Sequence, residues 1–135
     1  MTAIRFTEKR LVMVLLAALF AIVPAMAKGD KGDPKFAATT IDMGVMPENG
    51  GPRTVTFEFT NVGNGSMIIT GATAQCGCTR PTYSEAPVAP GRKGTVKVTY
   101  NPKGRPGAFS KTITVRMAGA KKNKVILKIK GSVKK

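Results

Sequence analysis

Thr54-Val55-Thr56-Phe57-Glu58-Phe59-Thr60 alternates without a break, with Val55, Phe57 and Phe59 on one side and Thr54, Thr56, Glu58 and Thr60 on the other. Successive side chains of a strand point to opposite faces, so this stretch predicts a half-buried β-strand rather than a helix. Working outward, Thr95-Val96-Lys97-Val98-Thr99-Tyr100 repeats the pattern. Phe109, Ile113, Val115 and Met117 then oppose Ser110, Thr112, Thr114 and Arg116, while Val125, Leu127 and Ile129 oppose Lys128 and Lys130. Turn signals separate these runs: Asn49-Gly50-Gly51-Pro52, Asn61-Val62-Gly63-Asn64-Gly65, Ala89-Pro90-Gly91, Asn101-Pro102 and Lys121-Lys122-Asn123. Strands that recur with no helical pattern between them predict an all-β sandwich of about seven strands. Residues 36–46 and 82–88 are its weaker, edge-like members. The predicted core is Phe57, Phe59, Ile69, Val96, Val98, Tyr100, Ile113, Val115, Leu127 and Ile129.

The N-terminus carries a secretory leader pattern. Arg5, Lys9 and Arg10 precede an apolar run over residues 11–23, and Pro24 with Ala25-Met26-Ala27 offers a small-x-small cleavage site. The run is shorter than the roughly 18 residues a membrane-spanning helix needs. The expected plan is therefore a signal peptide over 1–27, a flexible lead-in over 28–34 and one domain over 35–135, in a protein exported to a periplasm or beyond. No transmembrane segment is expected in the mature chain.

The leader contributes three basic residues against Glu8, so most of the net charge of +15 belongs to the exported part. Lys121, Lys122, Lys124, Lys128 and Lys130 are the densest group and the candidate contacts for an anionic partner, with acidic envelope polymer as one such partner. Sheet edges offer a second means of contact, by pairing with a partner strand.

Catalysis is disfavoured by inventory. There is no histidine, which removes Ser-His-Asp and Cys-His sites. Asp30, Asp33, Asp42, Glu48, Glu58 and Glu85 show no paired motif, and no phosphate-cradling loop is present. No cofactor is called for. Specific nucleic-acid recognition would want exposed aromatics beside the cations, yet Phe57, Phe59, Tyr100 and Phe109 fall on predicted core faces and only Tyr83 is left to stack.

Reactive chemistry is confined to Cys76 and Cys78, the sole cysteines. In an oxidising compartment they are expected to oxidise. A bridge over Cys76, Gly77 and Cys78 alone removes so little chain entropy that it stabilises by only about 1.6 kcal/mol before strain is counted. Tight closure that stores strain makes a bridge easier to reduce, which favours redox exchange over a staple. Gly77 supplies the backbone freedom such a closure would use, and Arg80 is the nearest cation in sequence for stabilising a thiolate. The Cys-x-x-Cys spacing and helix of a thioredoxin-like enzyme are missing. A second reading is Cu(I) held by the two sulfurs, with Met43 or Met46 as a third ligand, and a third is a local structural clip.

Ile41-Asp42-Met43-Gly44, Val55-x-Phe57-x-Phe59-x-Asn61-x-Gly63 and Cys76-Gly77-Cys78-Thr79 occur in that order. Pro87-x-x-Pro90-Gly91, Val98-x-Tyr100, Gly107-x-Phe109-x-Lys111 and Ile129-x-Gly131-x-Val133 follow. Together they resemble the exported bacterial family known as domain of unknown function 1573, over nearly the whole mature chain. The resemblance implies an immunoglobulin-like β-sandwich akin to major sperm protein and cilia-associated domains, with Cys-Gly-Cys-Thr as a family signature and no implied activity. The chain departs from the family at Met43, where an aromatic residue is usual, a difference that bears on local packing. These readings converge on a non-catalytic, exported binding or structural module of the bacterial envelope, whose partner is a protein or another envelope component. The thiol-redox or Cu(I)-handling protein and the charge-driven binder of acidic polymer stand as alternatives.

Overall fold

The computed structural model describes residues 30–135, so the leader expected over 1–27 lies outside the described residues. Eight strands follow in order: β1 (Pro34–Phe36), β2 (Thr40–Pro47), β3 (Arg53–Asn61), β4 (Ile68–Ala74), β5 (Thr79–Tyr83), β6 (Lys93–Tyr100), β7 (Gly107–Ala118) and β8 (Lys124–Lys134). They form two four-stranded sheets, β1-β3-β6-β5 and β2-β8-β7-β4. All neighbours are antiparallel except β2 and β8, which run parallel.

Period-two alternation places the core as expected. Across β3 and β6, Val55 faces Val98, Phe57 faces Val96 and Phe59 faces Gly94. Across β7 and β8, Ile113 faces Leu127 and Val115 faces Val125. All ten predicted core residues are buried. The sheets meet through these inner faces, and the Tyr100 ring of one stacks on the Phe109 ring of the other, with centroids 3.9 Å apart and planes 12° from parallel. Gly94 leaves room for the Phe59 ring, which a Cβ there would strike.

Residues 36–46, read as one weak strand, belong to two. The chain leaves the first sheet after Phe36 and enters the second at Thr40. Met43 and Met46 are both buried, although a regular strand cannot turn residues three apart to the same face. A register shift between Asp42 and Val45 resolves the conflict, with Gly44 at φ +72°, a left-handed conformation suited to glycine at a bulge. The stretch 82–88 ends as a strand at Tyr83, and Val88 instead forms a single bridge with Met67.

The lead-in expected over 28–34 is tied to the domain from Gly32 onward. Gly32 N donates to Gly119 O at 2.8 Å and Gly32 O accepts from Lys121 N at 2.8 Å. Asn61, read from sequence as a turn residue and as part of the family pattern, is fully buried and joins three segments. Its Oδ1 accepts from Asp33 N and Gly63 N, both at 3.0 Å, and its Nδ2 donates to Gly65 O and Val88 O, both at 2.9 Å. Every hydrogen-bonding site of a buried amide side chain is thus used, as burial of such a group requires.

Candidate functional site

The outer face of the β2-β8-β7-β4 sheet is built by the residues that alternate away from the core. β8 contributes Lys124, Ile126, Lys128, Lys130 and Lys134, all exposed. Alternate residues of a strand lie roughly 7 Å apart, so the lysines form a line of cations. Register adds the neighbours: Arg116 lies opposite Lys124, Thr114 opposite Ile126, Thr112 opposite Lys128 and Ser110 opposite Lys130. On the other side of β8, Thr40 partners Lys128 and Asp42 partners Lys130. Asp42 is the sole acid in these four strands, and its Oδ1 accepts from Gly44 N at 2.8 Å.

Of the five lysines singled out in sequence, Lys124, Lys128 and Lys130 share this face. Lys121 and Lys122 belong to the β7–β8 turn, where Lys121 Nζ lies 3.9 Å from Asp33 Oδ2. Lys134 and Arg116 join Lys124, Lys128 and Lys130 on this face, Arg116 from the polar side of the β7 alternation through its pairing with β8.

The sheet edges are less open than an edge-docking mode needs. β1 has only three residues and begins at Pro34, and β5 has five with Pro81 at its centre. β2 is bulged, and its Met43 carbonyl accepts from Arg53 Nη1 at 2.9 Å. β4 carries a register shift between Ile69 and Gly71, and Val88 pairs with Met67 just ahead of it. Short length, proline, bulges and covering segments are the devices that keep edges from pairing with other chains.

Cys76 and Cys78 are joined in a disulfide at the crossover from β4 to β5, where the chain passes from one sheet to the other. Cys78 is buried and Cys76 half-buried. Thr79 Oγ1 lies 3.5 Å from Cys78 Sγ and 3.9 Å from Cys76 Sγ. The backbone is held on both sides: Thr79 N donates to Cys76 O at 3.2 Å and Asn101 N to Cys78 O at 3.0 Å. Gly77 does not adopt positive φ, and a Cβ there would meet nothing within 4 Å, so the closure does not use the backbone freedom expected of it.

The methionines considered as copper ligands lie elsewhere. Met43 and Met46 are core residues of β2, at the edge of the sheet opposite β4, about three strand spacings or 14 Å across. No group of three or more His, Cys, Asp or Glu is placed to hold a metal ion among the described residues. Tyr83 packs against the core and, with Thr82, Ser84, Thr95 and Lys97, lines a hollow of about 220 Å³. Beside the crossover, Tyr100, Arg105, Phe109 and Lys111 line a second hollow of about 380 Å³. Burial raises the Tyr100 phenol above its usual range, partly offset by the Arg105 charge.

Two packed four-stranded sheets define an immunoglobulin-like β-sandwich. Residues 34–133 match the family described as protein of unknown function (DUF1573), and the chain belongs to that family. No curated protein sequence matches it. In fold it is similar to a protein of unknown function from Porphyromonas gingivalis W83, with TM-score 0.66 and 17% identity, over 82% of this chain and 50% of that one. It therefore spans half the length of that protein. It is also similar to the ASH / PapD-like domain 7 of human CEP192, with TM-score 0.62 and 13% identity, over 82% and 92% of the two chains. The periplasmic chaperone SfaE matches with TM-score 0.52 and 13% identity, over 75% and 57%. At these identities the likeness is one of fold.

Proposed function

We propose that the domain is a non-catalytic, exported binding module of the bacterial envelope that meets an anionic partner, a protein or another envelope component, through the outer face of the β2-β8-β7-β4 sheet. Export is supported by the leader pattern in residues 1–27 and by the fold shared with a periplasmic chaperone. The Cys-Gly-Cys-Thr element is read as a family signature that this binding role does not use.

The observation that carries the proposal is the pairing of Arg116 with Lys124 beside exposed Lys128 and Lys130. Like charges directly opposite one another on a sheet are destabilising. An opposite-charged partner surface relieves that repulsion on binding. The guarded edges favour the face over strand pairing as the means of contact.

The test is recovery from native envelope extract by the wild-type domain and by a Lys124→Gln/Lys128→Gln/Lys130→Gln variant. The proposal expects a component retained by the wild type, reduced about 10-fold by the variant and released near 0.5 M salt, where exposed charges are screened. Protease treatment of the extract separates a protein from an acidic polymer. Retention by both proteins at every salt concentration contradicts the proposal.

A further inference from the structure

The disulfide at the β4–β5 crossover has features that a buried structural bridge lacks. Its two residues differ in access, with Cys76 half-buried and Cys78 only 4% exposed. Gly77 between them is exposed, with open space where a side chain would stand. The Thr79 hydroxyl, itself buried, lies within contact distance of both sulfurs and closer to the inner one. The crossover has restraints besides the bridge, because Cys76 O and Cys78 O are each held by a backbone N–H.

Two cations line a neighbouring hollow. Gln75 N donates to Thr112 O at 3.1 Å, extending the β4–β7 register one step past Ala74 and Ile113. Lys111 and Arg105 line the hollow next to Tyr100, and Tyr100 pairs with Thr79 across β5 and β6.

We propose that Cys76–Cys78 is an exchangeable disulfide that oxidises thiols, with Cys76 the sulfur that is attacked and Cys78 the sulfur that leaves. An incoming thiolate forms a bond to Cys76 Sγ as the Cys76–Cys78 bond breaks, and the electron pair departs on Cys78 Sγ. The Thr79 hydroxyl donates to that thiolate until a proton is taken up from solvent. A second thiolate then attacks the sulfur of the first, releasing their mixed product as a disulfide and leaving Cys76 as a thiolate that protonates. Two thiols are oxidised to one disulfide, and the protein bridge is reduced to two thiols. The reverse sequence re-forms the bridge from the reduced protein and a small disulfide. This activity does not require the sheet face to bind anything.

Two measurements on the purified protein test it. In the first, the native oxidised protein is treated with glutathione without denaturant, and acid-quenched samples are mapped by mass spectrometry. Glutathione is expected on Cys76 in the mixed disulfide, with circular dichroism unchanged. In the second, Cys78→Ser and Cys76→Ser variants are mixed with an aromatic disulfide reagent and the released thiolate is followed. Cys78→Ser, which retains the accessible sulfur, is expected to react at least about 10-fold faster than Cys76→Ser. A bridge that is reduced only after unfolding, glutathione found on Cys78, or equal rates for the two variants would overturn the proposal. If a variant does not fold, the wild-type mapping alone decides.

Discussion

Arg116 of β7 and Lys124 of β8 stand directly opposite one another in the hairpin register, both exposed on the outer face of the sheet. Sheets ordinarily place opposite charges or hydroxyls in such pairs. The same hairpin continues with Thr112 against Lys128 and Ser110 against Lys130, so the repulsion is local to one pair while the positive charge extends along the strand.

Reversing one member of that pair separates stability from binding. Lys124→Glu is expected to stabilise the fold by about 0.5–1 kcal/mol by converting a repulsive cross-strand pair into an attractive one. Chemical denaturation reads the first effect, and retention of an anionic envelope component, which should weaken, reads the second. A variant that loses stability would show that Lys124 has a structural role the register does not reveal.

Asn61 is expected to be among the least replaceable polar side chains. Asn61→Ala removes four hydrogen bonds, to Asp33 N, Gly63 N, Gly65 O and Val88 O. The buried groups left without partners should cost about 2–4 kcal/mol, visible as a lowered urea midpoint with an unchanged slope. Asn61→Asp should also destabilise, because both Nδ2 donations are lost and a carboxylate would face two carbonyls.

The fold was legible wherever alternation was strong, and less so where the determinant was a contact between distant segments. Phe57, Val96, Ile113 and Leu127 announce themselves by period two, and they are buried. Pro34-Lys35-Phe36 is too short to show a period, so the change of sheet before Thr40 was hidden. Met46 was hidden by the bulge at Gly44, which breaks the alternation. Asn61 looked like an ordinary turn residue because its partners lie as far away as Asp33 and Val88. At the candidate site, Lys124, Lys128 and Lys130 could be placed together from one strand. Arg116 joins them only through the β7–β8 register, and Thr79 joins the sulfurs only through the shape of the crossover.

Two glycines should respond very unequally to the same change. Gly94→Ala forces a Cβ against the Phe59 ring and is expected to cost about 1–3 kcal/mol. Gly77→Ala places its Cβ in open space at an ordinary φ and should stay within about 0.5 kcal/mol of wild type. Thermal melts of the two variants make the comparison.

Tyr100 predicts an alkaline limit to stability. In the unfolded chain the phenol ionises near its usual 10, whereas burial holds it protonated to higher pH in the fold, with a smaller opposing influence from Arg105. Above that pH the folded protein binds more protons than the unfolded one, so this contribution is fully present below pH 10 and is lost as pH rises through the folded value. Tyr100→Phe should show a shallower alkaline loss of stability than the wild type, read from denaturation curves at stepped pH.

Ile126 lies between Lys124 and Lys128 on β8 and is 48% exposed, whereas Thr56 lies on the outer face of the other sheet, opposite Lys97. A photo-crosslinking residue introduced at each position, in the exported protein within its own envelope, compares the two faces directly. The account predicts a discrete adduct from position 126 that disappears when Lys124, Lys128 and Lys130 are replaced by glutamine, and no such adduct from position 56. Equal labelling from both positions, or an adduct from position 126 that survives the lysine replacements, would contradict it.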